Sequence, residues 1–288
     1  MNAIAIISVI LKISIFLTAL GYGLKTTSED AFYLIRKPGL LLRSVLAMNI
    51  IMPVVALLIA HFSALSPLVK VALVGISISP LAPLFPRKPL HAGGRRSYVI
   101  GLMLTASLLT LILIPLTLKI LDIILVRPVN IAMKEIVASA LISVIVPLFS
   151  GIALRYFAPA FSKKFGNPVA RISQIMLGIA LLPVLVKMFP AVIHLIGNGT
   201  VLAIAVFSIT GLLAGHFLGG PDPADRSVLA MAAASRHPAI AIAVASANLP
   251  GQKLVPAAIL LYLIVSALIV FPYLKWIRKP APGNQTRK

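Results

Sequence analysis

The stretch AMAAASRHPAIAIAVASANL, Ala230–Leu249, is long and apolar enough to cross a bilayer, yet an arginine, a histidine and a proline sit at its middle. About twenty apolar residues, rising about 1.5 Å each, cover a hydrocarbon core about 30 Å thick. A charge at that depth costs at least about 2.5–3.5 kcal/mol on insertion scales, so ionisable groups there usually carry function. Proline removes a backbone hydrogen bond and clashes with the preceding turn, so the span should kink or unwind there. Ser235-Arg236-His237-Pro238 therefore marks an interrupted span and half of a candidate binding site at the bilayer midplane.

The rest of the chain suits that setting. Of its 288 residues 60% are apolar and only 11% are charged. The apolar residues form about nine runs, approximately 4–24, 40–60, 68–85, 98–118, 131–156, 169–189, 201–218, 228–249 and 254–276. Solid runs of this length exclude a β-barrel, whose strands alternate apolar and polar residues. The fold class expected is an all-α polytopic membrane protein with about nine transmembrane helices. Its first run reads as a span and not as a cleaved signal. With no cysteine in the sequence, thiolate metal sites, disulfides and cysteine nucleophiles are excluded.

A net charge of +20 would suit a nucleic-acid partner. Here, however, the cations fall in short loops, and mainly on one side of the membrane. Eighteen of the 26 lysines and arginines lie on one side and seven on the other, with Arg236 left inside. Cytoplasmic loops carry such an excess. The expectation is an integral protein of a plasma (bacterial inner) membrane, with the N-terminus outside and the C-terminus cytoplasmic. Its partner is the lipid bilayer and not a nucleic acid. Short loops carry turn residues, as at Gly197-Asn198-Gly199 and Gly219-Gly220-Pro221, and Asp222 before Pro223 reads as a helix N-cap.

A second span is interrupted as well. The third run contains ISISPLAPLFPRK, with Pro80, Pro83 and Pro86. Each interrupted run is followed by one more span that closes its half of the chain, and the two members of the pair run in opposite directions. An inverted repeat with one discontinuous helix in each half gives this pattern, and in secondary transporters the substrate binds where the two breaks cross. A single transmembrane domain over 1–279 is expected, with a first repeat of about 1–122, a second of about 128–279, and a cytoplasmic tail at 280–288.

The half-helices after Pro83 and Pro238 would aim their positive ends at the crossing. With the guanidinium of Arg236 they favour an anion, a carboxylate being the natural bidentate partner. The candidate substrate-binding residues are Ser79, Pro80, Pro83, Ser235, Arg236, His237 and Pro238, with Asn49 as a cavity residue. Each has a plainer role open to it. Arg236 could satisfy carbonyls freed in its own broken helix, His237 could be a neutral hydrogen-bonded residue, and the serines of the third run could bond back to their own helix.

Several stretches together resemble the bile acid:sodium symporter (BASS) family. They are Gly21-Tyr22-Gly23-Leu24, Glu29-Asp30-Ala31-Phe32, Arg36-Lys37-Pro38 and Asn49 to Pro53, followed by the interrupted third and eighth runs. The resemblance implies two inverted five-helix repeats, with the first helix missing here, and two crossing helices. It also implies sodium ligands around the second crossing helix: a glutamate with glutamines or asparagines. At the matching positions this chain has Met231, Ser235 and Arg236, and the first crossing offers Ser79 and prolines. All six acidic residues lie in loops or at span ends. No cofactor is expected, and sodium coupling is doubtful.

The function expected is therefore secondary transport of a small organic anion by alternating access. Alternatives are a sodium-coupled symporter of the BASS type, a non-transporting membrane scaffold or sensor, and an intramembrane enzyme. The enzyme is disfavoured because no pair of carboxylates lies at membrane depth and no Gly-x-Ser-Gly turn is present. Ser235 and His237, two residues apart, would also face different directions on a helix.

Overall fold

The computed structural model describes residues 3–79, 81, 85–124, 138, 141–238, 241–242 and 254–277. Among the described residues all regular structure is helical. In chain order the helices are α1 (Ala3–Lys25), α2 (Ser28–Phe32), α3 (Pro38–Phe62), α4 (Pro67–Ile78), α5 (Arg87–His91) and α6 (Arg96–Ile124). There follow α7 (Leu141–Phe157), α8 (Pro159–His194), α9 (Thr200–Leu218), α10 (Pro223–Ala234) and α11 (Leu254–Ile277). The all-α polytopic organisation is as the apolar runs required. Residues 239–240 and 243–249 of the eighth run, the connection at 125–137 and the tail at 280–288 lie outside the described residues.

Several polar side chains within the spans bond back to their own helix, as a hydrocarbon surrounding favours. Thr18 Oγ1 donates to the Ser14 carbonyl at 2.7 Å, and Ser107 Oγ to the Met103 carbonyl at 2.6 Å. Helix starts follow the chain's own signals. Asp222 caps α10 by accepting from the Ala224 amide at 2.8 Å, with Pro223 as the first helical residue. In the turn before α9, Gly197, Asn198 and Gly199 all take positive φ, which the two glycines adopt without steric cost and asparagine tolerates.

One difference from expectation is α8. The sequence places Lys163, Lys164 and Arg171 in a loop, but the helix is continuous over 36 residues, about 54 Å at 1.5 Å per residue. That exceeds any bilayer, so its first turns stand beyond the hydrocarbon. Packing decides against the loop: Ala170 lies against Gly21 of α1, and Gly166 leaves room for the side chains of Leu24 and Lys25.

Small residues let the helices approach closely, as is usual where no hydrophobic drive separates helix from lipid. α1 runs along α7 and α8. A Cβ on Gly23 would overlap the Leu148 carbonyl, and one on Gly151 would overlap the Leu20 carbonyl, so α1 and α7 touch backbone to backbone. Likewise Gly215 of α9 leaves no space against Ala230 of α10. α10 is the most enclosed element: Val228 to Ala234 are all 0% exposed. α9 packs with α3, α4 and α11 around a core that includes Met52, Leu73, Ile76, Phe207, Ile259 and Tyr262, while α10 shares a second core with Leu34, Met48, Phe85 and Tyr98. The molecule thus has a slab of α1, α7 and α8 beside a body that holds the two interrupted helices.

Candidate functional site

α4 and α10 are each 12 residues long, about 18 Å, or somewhat more than half a hydrocarbon core. α4 follows α3 in the chain, and α10 follows α9. Both stop in the interior. Ser79 ends α4 in extended backbone (φ −73°, ψ 147°), and Ser235 ends α10 in the same region (φ −123°, ψ 110°). Beyond the second break the helix resumes at Pro238, whose first turn closes with the Ala241 amide donating to the His237 carbonyl at 3.3 Å.

The two breaks meet through Arg236. Its Nη1 donates to the Ser79 carbonyl at 3.1 Å, and its Nη2 donates to the Met48 carbonyl of α3. The guanidinium is therefore bound not to its own helix but to the other broken helix and to a third element. Met48 lies in a π-helical turn, Leu46–Ile51, just before Pro53. In the five-residue register of that turn, the amide that would reach the Met48 carbonyl belongs to position 53, where proline has none. The carbonyl is thereby released for Arg236. The freed carbonyl of Ala234, at the end of α10, accepts from the Tyr262 hydroxyl of α11 at 2.7 Å. Unwound backbone deep in a bilayer must find such partners.

Arg236 is 2% exposed and His237 1%. Three nitrogens here have no hydrogen-bond partner: Arg236 Nε and both ring nitrogens of His237. Buried donors and acceptors are seldom left unpaired, so these mark where a ligand or water would bind. Ser79 is fully buried, and its hydroxyl bonds back to the Ile76 carbonyl at 2.7 Å, as Ser77 bonds back to Val74. Its contribution to the crossing is its carbonyl. Ser235 and Pro238 are half-buried beside Arg236. Asn49 is half-buried and lines a separate cavity of about 10 Å³ with Ser44 and Thr105, room for one water. Pro80 and Pro83 lie outside the described residues.

Two participants were missed in the sequence, the Met48 carbonyl and the Tyr262 hydroxyl. The signal for the first was Pro53, whose missing amide leaves a carbonyl free one turn earlier. For the second it was a phenol near the middle of an apolar span, which needs a partner when buried.

The described carboxylates lie elsewhere. Asp30 faces Arg96, and Asp222 and Asp225 hold Arg95. No group of three His, Cys, Asp or Glu side chains among the described residues could hold a metal ion.

The profile of the sodium bile acid symporter family matches residues 12–212, which includes the first break and the π-helical turn but ends before α10. No curated protein gives a significant match. With more than half of its length matched, the chain belongs to the sodium bile acid symporter family of membrane transporters.

Proposed function

We propose that this protein is a secondary transporter of a small organic anion, working by alternating access, in which Arg236 takes the place of the co-transported sodium. The observation that carries the reading is the pair of bonds from one guanidinium to the carbonyls of Ser79 and Met48. Carbonyl oxygens released at a helix break are the ligands a hard cation such as sodium would use. Here a tethered cation already holds two of them. A second cation at the same place would be repelled, and no described carboxylate is close enough to offset that repulsion.

The remaining chemistry favours an anion. Arg236 keeps an unpartnered Nε, and His237 adds two unpartnered ring nitrogens beside it. A carboxylate at that point would satisfy donors that are otherwise buried without partners. Arg236 and His237 are closed off in the described conformation. Loading and release then require the slab of α1, α7 and α8 to move against the body that carries the crossing. A half-helix that starts at Pro238 would add its positive dipole end at the same point.

Family membership favours a second reading, a sodium-coupled symporter. Uptake of organic anions into proteoliposomes, with external sodium replaced by choline, separates the two. Uptake that persists in choline and falls at least tenfold in Arg236→Ala is the expected outcome. Strict sodium dependence would overturn the resident-cation reading, and unchanged uptake by Arg236→Ala would overturn the site.

A further inference from the structure

Away from the crossing, on the side that bears most of the lysines and arginines, two cavities adjoin. One, of about 430 Å³, is lined by Lys25, Arg96, Arg155 and Lys163 together with Asp30. The other, of about 510 Å³, is lined mainly by apolar groups, among them Phe32, Leu108, Phe149 and Ile152. Thr27 and Arg155 belong to both, so the basic pocket opens directly into the apolar cleft.

Local structure explains part of the charge. Arg96 donates to the Lys25 carbonyl at 2.6 Å and Arg155 to the Leu24 carbonyl at 3.2 Å, so both cap the last turn of α1. Asp30 faces Arg96 at 3.7 Å. After these contacts an excess remains, four cations against one carboxylate. Partial burial, and after it the nearby charge of Arg96, lower the pKa of Lys25, so an anion there would relieve both. Ser162, 2% exposed on the wall of the pocket, has a hydroxyl with no partner. Phe32, Leu108 and Phe149 of the cleft are 52%, 44% and 41% exposed, an apolar face of the kind that meets lipid tails or another amphiphile.

We infer that this double cavity binds an anionic phospholipid. The headgroup phosphate sits among Lys25, Arg96, Arg155 and Lys163, with Ser162 Oγ donating to a phosphate oxygen. An acyl chain lies in the cleft between α2, α6 and α7. Basic pockets between helices on the cytoplasmic side recognise lipid headgroups by this chemistry. The lipid would bridge α1, α7 and α8 on one side and α2 and α6 on the other, across the join between slab and body. Nothing in the inference depends on what crosses at Arg236.

The test is binding to the purified full-length protein in uncharged detergent, read by lipid retention in native mass spectrometry and by thermal unfolding. The probes are phosphatidylglycerol, phosphatidylcholine with the same chains, and glycerol 3-phosphate. Phosphatidylglycerol should be retained and raise the unfolding temperature, while the other two should do neither. Lys25→Gln with Lys163→Gln should weaken phosphatidylglycerol about thirtyfold, at about fivefold per lysine near a headgroup. Lys164→Gln, one residue along but outside the pocket, should leave it unchanged. Ser162→Ala, which removes only an unpartnered hydroxyl, should weaken the lipid about threefold without lowering lipid-free stability, and it serves if the double variant does not fold. Equal retention of phosphatidylcholine, full affinity in the double variant and in Ser162→Ala, or tight binding of glycerol 3-phosphate alone would each overturn the assignment. The last would make the pocket a site for a soluble anion.

Discussion

Arg236 is the residue on which the interior depends. Two facts about its position pull in opposite directions: removing a guanidinium from water is costly, and unwound backbone leaves carbonyls that also need partners. Placing one beside the other settles both, with the Ser79 carbonyl at 3.1 Å and the Met48 carbonyl on the second arm. Truncation should therefore destabilise, even though it removes a buried charge. Arg236→Met leaves two buried carbonyls without donors, at about 1–3 kcal/mol each, and the relief of desolvation offsets part of that. A net loss of about 2 kcal/mol is the expected outcome in unfolding from mixed micelles. Arg236→Lys should recover only part, since one ammonium cannot span both carbonyls as a planar fork does. A sharper test uses the space left by Arg236→Ala. Sodium chloride should raise the unfolding temperature of that variant relative to choline chloride, and should not affect the parent protein. Equal response of the two proteins to sodium would sink the resident-cation idea.

At the scale of helices, contact between backbones fixes the arrangement. A Cβ at position 151 would overlap the Leu20 carbonyl and the backbone of Gly23 and Leu24, none of which can yield as a flexible side chain would. Gly151→Leu should therefore pry α1 from α7 and cost about 3 kcal/mol or more. Gly178→Leu on α8, where no atom lies within 4 Å of the added carbon, should stay within about 0.5 kcal/mol. Comparing the two melting temperatures checks the claim, and equal losses would refute it. These contacts were invisible in the sequence, because a glycine in a membrane span reads alike whether it faces lipid or backbone. The interruptions were legible, since a proline and a charge at membrane depth are both costly in an unbroken span. Their adjacency was an expectation from topology, now carried by a bond between Arg236 and the Ser79 carbonyl. The continuity of α8 through Gly166-Asn167-Pro168 was not legible. Those are loop residues by local preference, and only packing on α1 makes them helical. Asn49 was singled out, yet its neighbour Met48 supplies the carbonyl that the crossing uses.

For the whole molecule, an arginine ties each end of α10 to other parts of the chain. Arg236 fixes the inner end. At the outer end Arg95, just before α6, donates from Nε to Asp225 at 2.8 Å and from Nη2 to Asp222. Tyr33, just after α2, adds a hydroxyl to Asp225 at 3.4 Å, and Lys37 donates to Tyr33 at 2.9 Å. The hydrogen bond to Asp225 is the main cause that raises the Arg95 pKa above its already high ordinary value. A raised cationic pKa means stabilisation that is complete below the ordinary value and lost only as pH rises through the folded one. The clamp therefore cannot be released by deprotonating Arg95 at working pH. Its carboxylates differ in exposure: the Asp225 side chain is 9% exposed and that of Asp222 39%. Exposed pairs are worth about 0–1 kcal/mol, whereas a shielded carboxylate that loses its partner costs more. A double-mutant cycle of Arg95→Gln with Asp225→Asn should thus give a coupling of about 1–2 kcal/mol, and the cycle with Asp222→Asn about half that or less. High salt should shrink the second coupling more than the first, because water screens it. Additive effects in the Asp225 cycle would mean that α10 is held at its outer end by packing alone.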